Sequence, residues 1–305
     1  MILCCGEALI DMLPRQSAAG EPAFAPYPGG AVFNTAIALG RLGRKVGFFS
    51  GLSDDLFGAL LVDALAASDV DARPAHRSSR PTTLAFVKLV DGHATYAFYD
   101  ENTAGRMLSV QDLPVLHDEQ ALFFGGISLV VEPCGTAYET LAQREAPNRV
   151  IMVDPNIRPS FVTEEASYRA RIARMLAAAD IVKLSDDDLH WLEGGGDLAT
   201  LAQGLLAKGP SLVCITEGAK GATGYTAEGA FHVPSQRVNV VDTVGAGDTF
   251  NAGVLAALDE AGALSKGAVR NLSGDLVRAA LSLGASAAAV TVSRAGANPP
   301  RRDEL

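Results

Sequence analysis

The sequence has few of the features that would mark it as secreted, metal-bound, membrane-bound or nucleic-acid-binding. Its four cysteines, Cys4, Cys5, Cys134 and Cys214, have no metal-like spacing and read as buried, reduced thiols of a cytosolic protein. Cys4 and Cys5 are adjacent, so on a strand they face opposite sides. The five histidines, His190 and His232 among them, lack ligand spacing too. Basic residues are outnumbered, 25 to 35, giving a net charge of -10. A nucleic-acid surface needs clustered Lys and Arg, so the acidity is read as a contribution to solubility. No basic leader accompanies the apolar run Ile2 to Ile10, which Glu7 interrupts before Asp11; it reads as a core strand rather than a signal peptide. No uninterrupted apolar stretch is long enough for a membrane span, and without a leader the terminal Asp303-Glu304-Leu305 is no retention signal. Repeats and low-complexity linkers are absent, which leaves 1–305 as a single domain. The phosphate loops G-x-x-x-x-G-K-[ST] and G-x-G-x-x-G are absent as well.

What is present is material for a large core: 48% of the 305 residues are hydrophobic. Ile2 to Ile10, Val46 to Ser50, Ala121 to Phe124, Val150 to Val153, Ile181 to Leu184 and Leu212 to Thr216 read as buried parallel strands. Helical patterns lie between them, as in Phe57, Leu60, Leu61, Ala64, Leu65 and Ser68. Alternating strands and helices imply a parallel sheet covered on both faces. One region departs from this pattern. Thr83 to Val90 and His93 to Tyr99 are β-rich around Asp91-Gly92, a two-residue hairpin signal. These strands should be antiparallel and lie outside the main sheet, with Gly20 to Pro28 as a further edge. A lid and an ordinary surface hairpin both fit that pattern.

Arg237 to Val241 reads as a strand and Thr249 to Leu258 as an Ala-rich helix, which puts Gly245-Ala246-Gly247 on the turn between them. Helix N-termini attract anions through unsatisfied N–H groups and the helix dipole. Asp248 lies in the first turn, where that field should keep its carboxylate ionised. A carboxylate beside an anion cradle suits phosphoryl transfer, with the base taking the proton of the attacking hydroxyl. A helix cap above a tight turn remains open as the plainer account.

Val241-Asp242-Thr243-Val244-Gly245-Ala246-Gly247-Asp248-Thr249-Phe250 resembles the C-terminal signature of the ribokinase-like (PfkB) carbohydrate kinases. The resemblance implies that Asp248 is the catalytic base and that Gly245, Ala246 and Gly247 form the anion hole. Gly29-Gly30-Ala31-Val32-Phe33-Asn34 resembles the N-terminal signature, which implies that Gly29, Gly30 and Asn34 contact the sugar. Asn34 in an apolar helix needs a partner in any case. Asp11, read as ending the first strand, resembles the Asp that grips sugar hydroxyls. Asp154-Pro155-Asn156-Ile157-Arg158 resembles a D-x-N-x-R motif of fructokinase-like and ketodeoxygluconate-kinase-like members, and gives Arg158 a phosphate or sugar contact.

Lys183-Leu184-Ser185-Asp186-Asp187-Asp188 stands where the family has Asn/Ser-x-x-Glu. This implies nucleotide contacts by Lys183 and Ser185 and a water-mediated influence of Asp188 on magnesium. Asp188 is one methylene shorter than the usual Glu, and Ser185 capping the next helix is the plainer account. Thr216, Gly218 and Gly221 resemble the nucleotide-binding loop, followed by a hairpin over Ala222 to Val233. Ala285 to Gly296 resembles the segment flanking the adenine, with Ala285 where the family often has Asn. Asp242 and nearby carbonyls are the implied monovalent-cation (potassium) site.

The expected fold is therefore α/β, a ribokinase-like three-layer α/β/α sandwich with a mainly parallel central sheet. A small β-sheet lid is expected from insertions near 12–28 and 72–107, with Phe98 closing over the pocket and a homodimer formed through the lid. The expected partners are ATP with magnesium and a small sugar, without nucleic acid or membrane, in the cytoplasm. Thr95 to Leu108 most resembles fructokinases, which implies phosphorylation of fructose at its 6-hydroxyl. Ketodeoxygluconate kinase is the alternative within the family, and a non-catalytic sugar- or nucleotide-binding regulator is the alternative outside it.

Overall fold

The computed structural model describes residues 1–90 and 93–305, with the backbone alone for 88–90 and 93–96, so the Asp91-Gly92 turn lies outside the described residues. In chain order the first half runs β1 (Ile2–Cys5), β2 (Leu9–Gln16), β3 (Pro22–Gly29), α1 (Ala31–Arg41), β4 (Val46–Phe49), β5 (Gly51–Ser53), α2 (Leu56–Ala66), β6 (Val70–Asp71), β7 (His76–Ser78), β8 (Leu84–Val90), β9 (His93–Tyr99), β10 (Ala121–Gly125), α3 (Cys134–Glu145) and β11 (Val150–Asp154). The second half continues with α4 (Glu165–Ala178), β12 (Ile181–Ser185), α5 (Asp186–Glu193), α6 (Leu198–Leu206), β13 (Leu212–Thr216), β14 (Ala222–Thr226), β15 (Gly229–Val233), α7 (Ala246–Glu260), α8 (Lys266–Val269) and α9 (Gly274–Val292).

The central sheet has nine strands in the order β15-β14-β13-β12-β11-β10-β1-β4-β6. It is parallel from β13 to β6, and β14 and β15 add an antiparallel edge. Both faces are covered, which is why its strands are apolar throughout rather than alternating. On one face Ile2 and Cys4 pack with residues of α1, α2, α7 and α9. On the other, Leu3 and Cys5 pack with residues of α3, α4, α5 and α6. The two adjacent cysteines thus enter different cores, and all four cysteines are free and buried.

The chain leaves β1 for β4 on one side, while β10 flanks β1 on the other. Open α/β sheets bind ligands outside the carboxyl ends of strands at such a reversal. Here that crevice lies between the segments following Cys5 and Gly125.

The run Ile2 to Ile10 is not one strand. It breaks at Gly6-Glu7-Ala8 into β1 of the central sheet and β2 of a second sheet. A Cβ at Gly6 would sit 2.4 Å from Val32 Cγ2, so α1 packs hard against the break. Asp11 therefore lies within β2 and does not end the first strand.

The second sheet has four strands in the order β3-β2-β8-β9, antiparallel except for the parallel pair β2–β8. Its outer surface carries Phe24, Phe86 and Tyr99 in successive edge-to-face contacts at 5.0 and 5.3 Å, and Tyr99 is 60% exposed. Residues 76–78 belong to neither sheet; they pair with β5.

Two further readings change. Arg237 to Val241 is irregular, not a strand; the Val241 and Asp242 N–H groups donate to Val292 O at the end of α9 instead of to a neighbouring strand. By length and hydropathy α9 alone among the described residues could cross a membrane. It buries Val277, Ala280, Leu281 and Gly284 against the core, however, as an interior helix does.

Candidate functional site

The turn into α7 is built by small residues and clamped from behind. Asp242 Oδ1 accepts the Val244 N–H at 3.0 Å and Oδ2 accepts the Gly296 N–H at 2.9 Å, tying the turn to the segment after α9. Gly245 is the N-cap residue, at φ +78°, and a Cβ there would meet Ala297 Cβ at 2.7 Å. Only glycine combines that backbone with that contact. The first N–H groups of α7 have no acceptor within the helix, and Thr243, Ala246 and Gly247 line a cleft of about 810 Å³.

Asp248 does not cap α7. It is buried, and its Oδ2 accepts the Asn34 amide N–H at 2.9 Å, while its main-chain carbonyl accepts the Thr35 hydroxyl at 3.2 Å. The costly Asn in apolar α1 thus pairs with the candidate base. Burial pushes the Asp248 carboxyl up to about 7, offset by the Asn34 hydrogen bond and by the charges of Lys183 and Arg158. The expectation that the helix field keeps this group firmly ionised is therefore reversed: desolvation outweighs it.

The start of α1 is held by Glu7, whose role the sequence reading missed. Its buried carboxylate accepts the Ala31 N–H at 2.9 Å and the Ser128 N–H at 3.3 Å, bridging the ends of β1 and β10. Gly126 makes room for it, since a Cβ there would lie 2.0 Å from Glu7 Oε1. An acid after a glycine inside an apolar run was the available signal.

Beneath the turn lies a second buried network. Lys183 Nζ donates to Asp154 Oδ2 at 3.0 Å, and Asn251 Nδ2 donates to the same oxygen at 2.7 Å. A Cβ on Gly247 would stand 3.0 Å from Lys183 Nζ, so this ammonium sits directly under the Gly-Ala-Gly segment. Asp154 opens the D-x-N-x-R motif read from the sequence but was given no role of its own there, and Asn251 was not singled out, although a buried Asn in an Ala-rich helix raises the same question as Asn34. Asn251 Oδ1 is buried without a partner among the described residues.

Asp188 Oδ1 accepts the Ile157 N–H at 3.0 Å, and Asp188 forms a reciprocal capping box with Ser185 at the start of α5. Ser185 thus caps a helix, the plainer of its two readings. Neither Ser185 nor Lys183 lines the cleft, whereas Thr216, Gly218 and Gly221 do.

On the second-sheet side, Asp11 accepts no hydrogen bond among the described residues, and burial pushes its carboxyl up to about 6. Gly29 lies against it: a Cβ there would meet Asp11 Oδ2 at 2.3 Å. Gly30, at φ +108°, is the N-cap of α1 and leads to Asn34. Phe98 packs edge-to-face on Phe161 with centroids 4.8 Å apart, joining the second sheet to the segment that carries Arg158. Arg158 is exposed, with its guanidinium donating to the Ile157 carbonyl at 3.0 Å. Asp100, also missed, accepts the Thr83 and Thr103 hydroxyls at 2.8 and 3.1 Å and steadies the base of β8 and β9.

No group of three or more His, Cys, Asp or Glu that could hold a metal occurs among the described residues. The arrangement joins an apolar cleft, an N-terminal amide turn, a buried carboxyl near neutrality and an unpartnered carboxylate on a separate sheet. Such a constellation can deprotonate one small ligand beside the anionic end of another.

Comparison with known proteins gives the same picture. The pfkB family carbohydrate kinase model matches residues 1–304. The chain is 58% identical over 279 residues to a fructokinase of Rhizobium leguminosarum bv. trifolii, covering 91% of this chain and 86% of that one. The fructokinase of Xylella fastidiosa with bound ATP superposes with a TM-score of 0.88 at 30% identity, over 97% of this chain and 93% of that one. The fructokinase of Vibrio cholerae O395 in its fructose, ADP and calcium ion bound form gives 0.84 at 26% identity, over 97% and 94%.

Proposed function

The chain belongs to the pfkB family of carbohydrate kinases, and from that premise we propose that it is an ATP-dependent fructokinase forming fructose 6-phosphate and ADP. The observation that carries the reading is Asp248, a buried carboxyl with a pKa of about 7 set in the first turn of α7. It directly follows Ala246 and Gly247, which line the cleft.

In this reading the sugar lies between Asp11, Gly29, Gly30, Asn34, Phe98 and Arg158, and the nucleotide lies along Thr216, Gly218 and Gly221 with its phosphates toward the Gly245–Gly247 turn. Asp248 takes the proton of the attacking hydroxyl while the oxygen–phosphorus bond forms and the bond to the leaving ADP breaks. The Gly245–Gly247 amides receive charge on the transferring group. Lys183 supports the turn from below through Asp154, a positioning role rather than a contact with the base of the nucleotide. Magnesium, when bound with the nucleotide, would neutralise phosphate charge; Asp188, whose oxygens accept the Ile157 and Ser185 N–H groups, would influence it only through water. A potassium ion beside Asp242 belongs to the same reading and would show as potassium-dependent turnover. The second sheet serves as the lid, excluding water from the transfer. Its surface of exposed Phe24 and Tyr99 around half-buried Phe86 would pair with a second copy, which sedimentation of Phe24→Asp against wild type tests. The setting is the cytoplasm, where ATP is available.

A coupled ADP-release assay over fructose, ketodeoxygluconate, ribose and adenosine decides the acceptor. Fructose should give the highest kcat/KM. Preference for ketodeoxygluconate would replace the substrate assignment, and tight sugar binding without turnover would replace the enzyme by a regulator.

A further inference from the structure

The cleft has a phosphoryl end and a base end, and contacts along residues 234–242 distinguish them. At the phosphoryl end the Val241 N–H donates to Val292 O at 2.8 Å, close to the turn at Gly245. Toward the other end the Gln236 amide donates to Ser286 Oγ at 2.6 Å, and the Ser235 hydroxyl donates to the Ala219 carbonyl. Ser286 and Val292 are separated along α9 by about 9 Å at the rise of a helix. Residues 235–237 therefore sit where a nucleotide with its phosphates on the Gly-Ala-Gly turn would place its base.

From that end toward the turn the cleft is lined by Ala285, Ala288 and Ala289 of α9 and by Val238 and Val240. Such surfaces hold a base by its faces and read none of its edges. Arg237 is the only charged side chain lining the cleft, and it is exposed, with no ion pair or hydrogen bond among the described residues.

A guanidinium only donates. A 6-oxopurine offers it two adjacent acceptors, O6 and N7, whereas adenine offers N7 beside a competing N6 donor. Gln236 keeps its Oε1 as an acceptor, but both kinds of purine carry an N–H for it, so it does not choose between them. We propose that the cleft takes guanine and hypoxanthine nucleotides as phosphoryl donors alongside ATP, with Arg237 the residue that favours the 6-oxopurine. This rests on the phosphotransferase reading above.

The test measures kcat/KM for ATP, GTP, ITP and 7-deaza-GTP at saturating fructose, in wild type and Arg237→Ala. GTP and ITP should both support turnover. In the variant the GTP-to-ATP ratio should fall about fivefold to tenfold, the lower part of the range for a bidentate contact because Arg237 is exposed. The ATP value should fall less than the GTP value, since adenine offers the guanidinium N7 alone. 7-Deaza-GTP, lacking the N7 acceptor, should respond to the substitution less than GTP does.

Calorimetric titration of GDP and ADP makes the same comparison without catalysis. If no donor gives turnover on any sugar, the kinase reading fails while the GDP-to-ADP binding ratio still decides this proposal. Absence of GTP and ITP use together with absence of GDP binding would overturn it. So would an unchanged ratio in Arg237→Ala, or equal losses for every donor, which would make Arg237 a phosphate contact.

Discussion

Replacing Asp248 by Asn should separate two consequences of one burial. Asp248 Oδ2 accepts the Asn34 amide, and an Asn at 248 retains an acceptor for it, so the packing of α1 on α7 is preserved. Burial raises the wild-type carboxyl from 3.8 to about 7, a shift of about 3 units and hence on the order of 4 kcal/mol. That is the upper bound on what ionising Asp248 costs the folded state. The native protein binds this proton more tightly than the unfolded chain does. Wild-type stability therefore falls as pH rises from about 4 to about 7 and levels off above that. Asn does not titrate. Asp248→Asn should accordingly match the wild type near pH 4 and exceed it by up to ~4 kcal/mol at about pH 8, measured by urea unfolding at both ends of the window. In the same preparation, fructose-dependent ADP release should drop on the order of 10²–10⁴-fold. A stability gap that does not widen with pH would refute the burial argument. Near-wild-type turnover would refute the assignment of the base.

The remaining predictions concern groups around it. kcat/KM should fall about tenfold per pH unit below about 7 as Asp248 takes up its proton, and more steeply below about 6, where Asp11 also protonates; Asp11→Asn should remove the added steepness and leave the limb due to Asp248. Asp11→Ala should lower kcat/KM for fructose about tenfold to a hundredfold, mainly through KM, the value of hydrogen bonds to a charged group; a change confined to the ATP KM would contradict its placement. Lys183→Met leaves the Asp154 carboxyl buried without its cation, so thermal unfolding should show a loss of about 3–5 kcal/mol. Asp154→Asn in the same chain should restore much of it. Gly245→Ala, strained at φ +78° and crowded by Ala297, should cost about 1–3 kcal/mol and reduce turnover; a neutral result would mean that the turn is not held as tightly as the contacts imply.

The layered fold was legible because a parallel sheet covered on both faces leaves continuous apolar runs, as at Val150 to Val153 and Leu212 to Thr216. The hairpin strands were legible because β-branched and aromatic residues flanked a turn dipeptide. Two strand readings failed for a shared reason: apolar composition does not specify a bonding partner. Arg237 to Val241 has a strand's residues, but its Val241 amide bonds to the end of α9 and not to a neighbouring strand. The run from Ile2 to Ile10 looked continuous because Gly6 and Glu7 act through contacts remote in sequence, with Val32, Ala31 and Ser128. The site was legible where a motif is local, at 242–248 and 29–34. It was hidden where pairing is long-range, as for Lys183 with Asp154 or Asn251 with the same carboxylate.

The reversal at Asp248 follows from comparing two magnitudes. A helix N-terminus stabilises a nearby anion by about 0.3–1 kcal/mol, up to ~2 in partly buried geometry. Enclosure between α1 and α7 opposes that with a net penalty of roughly twice the larger figure, even after Asn34, Lys183 and Arg158 have acted in its favour. The amides of the turn therefore do not hold Asp248 as a spectator anion, and they remain available to an incoming phosphoryl group. A base poised near neutrality is also better matched to proton transfer than a fully ionised surface carboxylate. Closure of the second sheet would remove more water and raise the proton affinity of Asp248 further once the sugar is bound. Shortening the contact that joins that sheet to the body, as Phe161→Ala does at Phe98, should therefore shift the acid limb of kcat to lower pH. The limb of kcat/KM, which reports the free enzyme, should move less.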